Sequence, residues 1–427
     1  MRLSYLLVLQ MTFSDSAARV HFGMRPHSIK AFVILVSLST TLAAQQSSAQ
    51  TVRARDLGVP FEGSPGPLNA ITDVAGVTVG ATTLIRGDGA LKTGEGPVRT
   101  GVTVIMPRGA KSNDPVYAGW FSLNGNGEMT GTTWVEESGF LEGPVALTNT
   151  HSVGTVRDSM IAWGLKHDAL KQPWSLPVVA ETWDGWLNDI NGFHVKPDDV
   201  FAALDSAKSG PVAEGNTGGG TGMVCYGFKG GTGTASRVLS ATEGGYTVGV
   251  LVQCNCGRRP QLTIAGVPVG KEIPQGAPYA EVTSPNMPTQ APPSLLPPGS
   301  EMQGDVGSII IVVATDAPLL PHQLKRLARR AALGLARTGS TSGNGSGDIF
   351  IAFSTANPHA DAEPGPNTVK VVSNERISPL FSATVEATEE AIVNAMVGAK
   401  TMTGVDGHTV NALPHDELKE VLKKYQR

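Results

Sequence analysis

A serine that follows a glycine and opens an apolar strand is equipped to cut the chain in front of itself. Gly307 and Ser308 stand at the head of the run GSIIIVVATDAP, just after a Pro-rich, charge-poor stretch. In such a cut the Ser308 hydroxyl attacks the Gly307 carbonyl, and glycine offers no Cβ to block the approach. The new terminus then carries a hydroxyl and an α-amine with a reference pKa of about 7.7–8.0. Nucleophile and base would lie in one residue. Gly-Ser is also an ordinary lead into a strand, so the reading needs partners. Ser346 and Asp348, in NGSGDIFIAFST, share one alternation phase if they belong to a strand. Parallel pairing would bring them beside Ser308, where a carboxylate can hold an ammonium or orient a hydroxyl; a plain turn before the strand is the alternative. Asn255 ends the apolar run of VQCNCG, and an amide at a strand end can donate to a developing oxyanion. Glu181 is the acid near the end of LPVVAET. An acid there can bind a substrate ammonium, with Trp183 as an apolar wall or cation–π face. A turn asparagine and a solvated loop acid remain open for these two positions.

Other chemistries fit less well. The glycine-dense block EGNTGGGTGMVCYGFKGGTGTASR, Glu214 to Arg237, resembles a phosphate cradle but lacks both the Walker and the dinucleotide spacing. Close-packed turns are expected there, with Lys229 as a candidate site cation. GxSxG and HExxH are absent, and His151 in TNTHSVG is the one histidine in a polar, site-like setting. Cys225, Cys254 and Cys256 contain no CxxC and read as buried small hydrophobes. An exported protein would permit a disulfide, but Cys254 and Cys256 are too close in sequence to pair without strain. No metal site and no cofactor are expected.

The elements that must position these residues alternate between strands and helices, which favours a layered α/β fold. Strands are expected at Val74–Gly80, Gly101–Pro107, Val145–Thr148, within LPVVAET, and at Thr247–Asn255, Ser308–Thr315, Ile349–Ser354 and Val369–Val372. Helices are expected at Thr155–Lys166, Asp198–Ala207, His322–Arg337, Ser382–Ala399 and Asp416–Tyr425. The chain has 427 residues, net charge -4 and 41% hydrophobic content. That supports a substantial core, and without a basic tract nothing favours nucleic acid. Met24 precedes RPHSIK, the apolar run AFVILVSLSTTLAA and QQSSAQ. This is the pattern of a secretory signal over residues 24–44, with cleavage after Ala44 or Ala49 and residues 1–23 an over-called start. An uncleaved anchor is the alternative, and a periplasmic or secreted location is expected.

Taken together, the Gly block, ETWDGWLNDINGFHV, GVLVQCNCG, the Gly-Ser strand and NGSGDIFIAFSTAN resemble the DmpA-like aminopeptidases. That family comprises self-processing N-terminal-nucleophile hydrolases with L-aminopeptidase/D-esterase and β-peptidyl branches. The resemblance covers about Asp56 to Met402. It implies a four-layer αββα sandwich, and cleavage between Gly307 and Ser308 into an α chain (45–307, with a Pro-rich loop over 272–300) and a β chain (308–427) of one catalytic domain. It implies tetramers of αβ units as well. Ser308 matches the nucleophile, Ser346 and Asp348 the assisting serine and acid, Asn255 the oxyanion amide, and Glu181 the acid that receives the substrate amine. Some members use glutamate where this chain has Asp348. Trp183 falls where some have a tyrosine whose hydroxyl assists the oxyanion, a geometry that indole cannot copy. The implied substrate is a short peptide or amide with a free N-terminus, and a β-amino acid first residue is favoured over broad L- or D-amino acid specificity. A periplasmic binding protein that keeps the fold without the chemistry is the non-enzymatic alternative.

Overall fold

Two runs of β-branched residues, TVGVLVQCN and SIIIVVAT, lack the alternation of a half-exposed strand. Every residue of both is buried, as expected for strands covered on two faces. The computed structural model describes residues 52–278 and 307–427. The expected signal segment and most of the Pro-rich loop lie outside the described residues.

A four-stranded sheet has the order β1 (Thr78–Arg86), β2 (Val98–Met106), β5 (Val145–Asn149), β6 (Val178–Thr182). A six-stranded sheet has the order β4 (Phe140–Leu141), β3 (Val116–Ser122), β12 (Ile349–Ser354), β11 (Ser308–Thr315), β10 (Thr247–Asn255), β9 (Gly231–Val238). Short ladders join β7 (Val224–Cys225) to β8 (Phe228–Lys229) and β13 (Met402–Thr403) to β14 (Thr409–Val410). The helices are α1 (Thr132–Ser138), α2 (Val153–Lys166), α3 (Pro197–Asp205), α4 (Val269–Glu272), α5 (Pro321–Arg337), α6 (Ser378–Val397) and α7 (His415–Lys424).

The two faces of the large sheet feed different cores. Val250, Val252, Ile309, Ile311 and Phe350 pack with Leu324, Leu327 and Ala331 of α5 and with Ala387 and Ala391 of α6. On the opposite phase, Leu251, Ile310, Val312 and Ile351 pack with Ile105, Leu147, Val178 and Ala180 of the small sheet. The outer face of the small sheet, through Val104, Ala146 and Val179, meets Val156 and Met160 of α2 and Val200 and Leu204 of α3. The result is the expected αββα sandwich. Each apolar side chain buried between its layers is worth roughly 1.5–3 kcal/mol.

The expected β10, β11 and β12 match their observed bounds, and helices α2, α3, α5, α6 and α7 lie where expected to within a few residues. Three expectations are corrected. Val369–Val372 is not a strand: its backbone is held by the Asn357 side chain and by Pro318 instead of a ladder. The second half of the glycine block is not turns but the edge strand β9, paired antiparallel with β10. Its glycines admit α6 at close range, since a Cβ on Gly233 would lie 2.7 Å from the Ala395 Cβ. The cysteines are buried as expected, but Cys225 and Cys254 form a disulfide, and the Cys256 sulfur lies 3.8 Å from that of Cys254.

Candidate active site

Antiparallel pairing of β10 with β11 sets Asn255 opposite Ser308. Both continue the phase of Leu251 and Ile310, so both face the space between the sheets. Parallel pairing of β11 with β12 begins at Ile310 and Ile349, which brings the loop before β12 alongside Ser308. Strand alternation would have required Ser346 and Asp348 to lie in β12, but they belong to the loop before it. They meet through a hydrogen bond, the Ser346 hydroxyl donating to Asp348 Oδ1 at 2.6 Å. The same oxygen accepts the Ile309 N–H at 3.1 Å. The Gly347 N–H, between them, donates to Ser308 Oγ at 3.0 Å. Ser308, Ser346, Asp348 and Asn255 are all buried.

A second glycine-rich loop, 123–128, braces this cluster. Asn124 Nδ2 donates to the Ser342 carbonyl and Asn126 Nδ2 to that of Gly345, each at 2.9 Å, while the Leu123 N–H reaches the Asp348 carbonyl at 3.0 Å. The loop also links the cluster to Glu181. A Cβ on Gly127 would stand 3.1 Å from Gly347 Cα and 3.4 Å from Glu181 Oε1. Glu181, near the end of β6, accepts the Glu128 N–H at 2.9 Å and the Thr150 hydroxyl. Burial pushes its carboxyl above the usual range, with these two hydrogen bonds opposing the shift. Trp183 is 37% exposed, with its ring over Gly185. His151 is exposed and stacks on Phe193.

The Asn255 side chain has a defined orientation. Its Oδ1 accepts the Val224 N–H at 2.7 Å, which turns its NH₂ away from that contact as a donor. Gly307 packs on the same strand end: a Cβ there would lie 2.7 Å from Cys256 Cα and closer still to the Asn255 carbonyl oxygen. Lys229 is not at the site surface. It is fully buried, and its ammonium donates to the Met223 and Gly230 carbonyls at 2.7 and 2.8 Å. Burial lowers its pKa to about 7, with nearby Asp184 acting the other way.

Residue-type reasoning missed the backbone donors of Gly347, Val224 and Glu128, which leave no mark in a list of side chains. Thr150 was within reach, because it adjoins His151 in the motif that drew attention.

Comparison with known proteins bears on the family and the fold. A β-peptidyl aminopeptidase BapA from Sphingosinicella microcystinivorans is 56% identical over 388 residues, covering 90% of this chain and 96% of that protein. A second, from Sphingosinicella xenopeptidilytica, is 52% identical over 397 residues, with coverage of 92% and 96%. Among solved structures, the L-aminopeptidase D-Ala-esterase/amidase of Ochrobactrum anthropi, a serine aminopeptidase with a variant of the Ntn-hydrolase fold, superposes with TM-score 0.77 at 48% identity, covering 88% of this chain and 99% of that one. A Burkholderia sp. β-aminopeptidase gives TM-score 0.75 at 47% identity, with coverage of 87% and 99%. The model of peptidase family S58 matches residues 69–410, most of the described fold and all of the clustered side chains, and the chain belongs to that family.

Proposed function

We propose that the protein is an exported β-peptidyl aminopeptidase that matures by severing its own Gly307–Ser308 bond and then uses Ser308 as nucleophile and its freed α-amine as base. Membership of the peptidase family makes it a hydrolase of the aminopeptidase type. The observation that carries the residue roles is the placing of Ser308 Oγ. It is buried at the strand mouth, takes an N–H from Gly347, and lies opposite an asparagine whose amide oxygen is already engaged.

In the precursor, the Ser308 hydroxyl attacks the Gly307 carbonyl carbon, and the C–N bond breaks with the proton passing to the Ser308 nitrogen. Water hydrolyses the resulting ester to leave a Gly307 carboxylate and a free Ser308 hydroxyl and α-amine. In the mature enzyme it attacks the carbonyl of the first substrate residue. Asn255 Nδ2 supports the oxyanion. The α-amine takes the hydroxyl proton and returns it to the leaving amine. Water then releases the acyl group. Ser346 and Asp348 hold the new ammonium and keep its proton path ordered, a role that the bond from Ile309 N–H to Asp348 supports. The Glu181 carboxylate receives the substrate's free amine, which explains a demand for an unblocked N-terminus. Trp183 forms an apolar wall of the entrance. The signal-like residues 24–44 and the Cys225–Cys254 disulfide both fit export to an oxidising compartment.

N-terminal sequencing of the purified protein tests this reading. Two fragments are expected, one beginning after the signal segment and one beginning at Ser308; a single intact chain would refute it. A Gly307→Val variant is expected to stay uncut about 5- to 150-fold longer on a denaturing gel, on the order of 1–3 kcal/mol of overpacking, because its side chain has no room against Asn255 and Cys256. The Ochrobactrum likeness favours a second reading, a broad L-aminopeptidase and D-amino acid esterase. Rates on β-homoamino-acyl anilides against L-alanyl anilides separate the two.

A further inference from the structure

Lys229 is a fully buried ammonium whose close hydrogen bonds all end on backbone carbonyls. Burying an ammonium is expensive, on the order of several kcal/mol, and a methionine would fill similar space without that cost. Its closest acceptor is the Met223 carbonyl, at 2.7 Å. The other end of the same peptide unit is the Val224 N–H, which donates to Asn255 Oδ1 at 2.7 Å. Strand pairing fixes this relation, because Lys229 lies opposite Val224 in the β7–β8 ladder. The Cys225–Cys254 disulfide ties the two segments together one residue from each end of the contact.

We propose that Lys229 is a positioning residue for the amide of Asn255, acting through the Met223–Val224 peptide unit. The inference rests on the reading of Asn255 as the oxyanion donor. Two effects combine. An amine donor on the Met223 oxygen, strongest in its protonated form, polarises the peptide and strengthens its N–H as a donor. The same bond stops the peptide from rotating. With the Val224 N–H held in place, Asn255 keeps its oxygen toward Val224, which leaves the NH₂ as the end it can offer to the site opposite Ser308. If that peptide turned, the asparagine would be free to flip and present an oxygen lone pair to the developing negative charge, which would repel it. Lys229 touches neither substrate nor reacting atoms.

A double-mutant cycle on the self-processed enzyme tests this, with rates normalised to the amount of β chain. Lys229→Met is expected to lower kcat roughly 10- to 100-fold with KM changed less than about twofold, part of the ~100- to 1000-fold loss expected for Asn255→Ala. In the Asn255→Ala background, Lys229→Met is expected to lower kcat by no more than about threefold, since the two act as one unit. Lys229→Gln, which keeps a neutral donor, is expected to retain more activity than Lys229→Met, and it serves for the cycle where the methionine variant does not fold. Losses that multiply in the double variant would overturn the proposal and leave the reading of Asn255 standing, as would a Lys229 variant that raises KM with kcat intact. If Asn255→Ala alone keeps full kcat, both fail.

Discussion

Ser308→Ala is expected to remain one uncut polypeptide and to hydrolyse nothing measurable, with kcat reduced on the order of 10⁴- to 10⁶-fold, as for loss of the nucleophile in other serine hydrolases. Both effects come from one atom. In the proposed mechanism Oγ attacks Gly307 in the precursor and the substrate afterwards, and its hydrogen bond from Gly347 holds it at the strand mouth for both steps. The alanine fits the same buried position, so the fold should persist and melt near the wild-type temperature. A denaturing gel together with an anilide assay reads both outcomes. If the variant still splits at Gly307–Ser308, another group cuts the chain. Ser346, hydrogen-bonded to Asp348, would be the first to examine.

Glu181→Gln should separate the two activities. The precursor needs no free amine to cut itself, so the variant is expected to mature at a near-normal rate. Its kcat/KM on free-amine substrates should fall by about 30- to 4000-fold, because removing one partner of a desolvated charge pair costs roughly 2–5 kcal/mol. The pH response follows from the site. Burial raises the Glu181 carboxyl, while the Thr150 hydroxyl, the Glu128 N–H and nearby His151 act to lower it. Only the ionised form attracts an ammonium. Affinity for a primary-amine competitive inhibitor should therefore fall as pH drops through a value above the ordinary glutamate range, and the Gln variant should lack that dependence. Inhibition constants measured across pH make the comparison independent of the α-amine base. A variant within a few-fold of wild type would remove Glu181 from amine recognition.

The legible parts of this molecule were those written in side-chain type. Thr247–Asn255, Ser308–Thr315 and Ile349–Ser354 could be bounded from sequence because strands covered on both faces leave unbroken apolar runs. The glycine block was opaque for the opposite reason. Its strand character comes from pairing with β10 and from the close approach of α6, and neither shows in a string of glycines. Val369–Val372 has the composition of a strand but finds no ladder partner, so propensity lost to tertiary context there. At the site, hydroxyls, carboxylates and an amide could be nominated by type. The backbone N–H groups that orient them could not, because every residue but proline carries one. Lys229, a candidate site cation by residue type, is instead buried and bonded to backbone carbonyls.

The sheet order carries a last consequence. β11 and β12 lie side by side in the interior of the six-stranded sheet, flanked by β10 and β3, so the segment after Ser308 is threaded through the middle of the segment before it. All three cysteines precede Gly307, so no disulfide can staple the halves across the junction. If the chain cuts itself as proposed, this threading puts assembly first and scission second, while both halves are still one string and find each other at high effective concentration. In the proposed mature protein the two pieces hold together without a covalent link, through the ladder and the cores they share. Once unravelled, it has lost the tether that built it, and dilution after denaturation should return little or no active material.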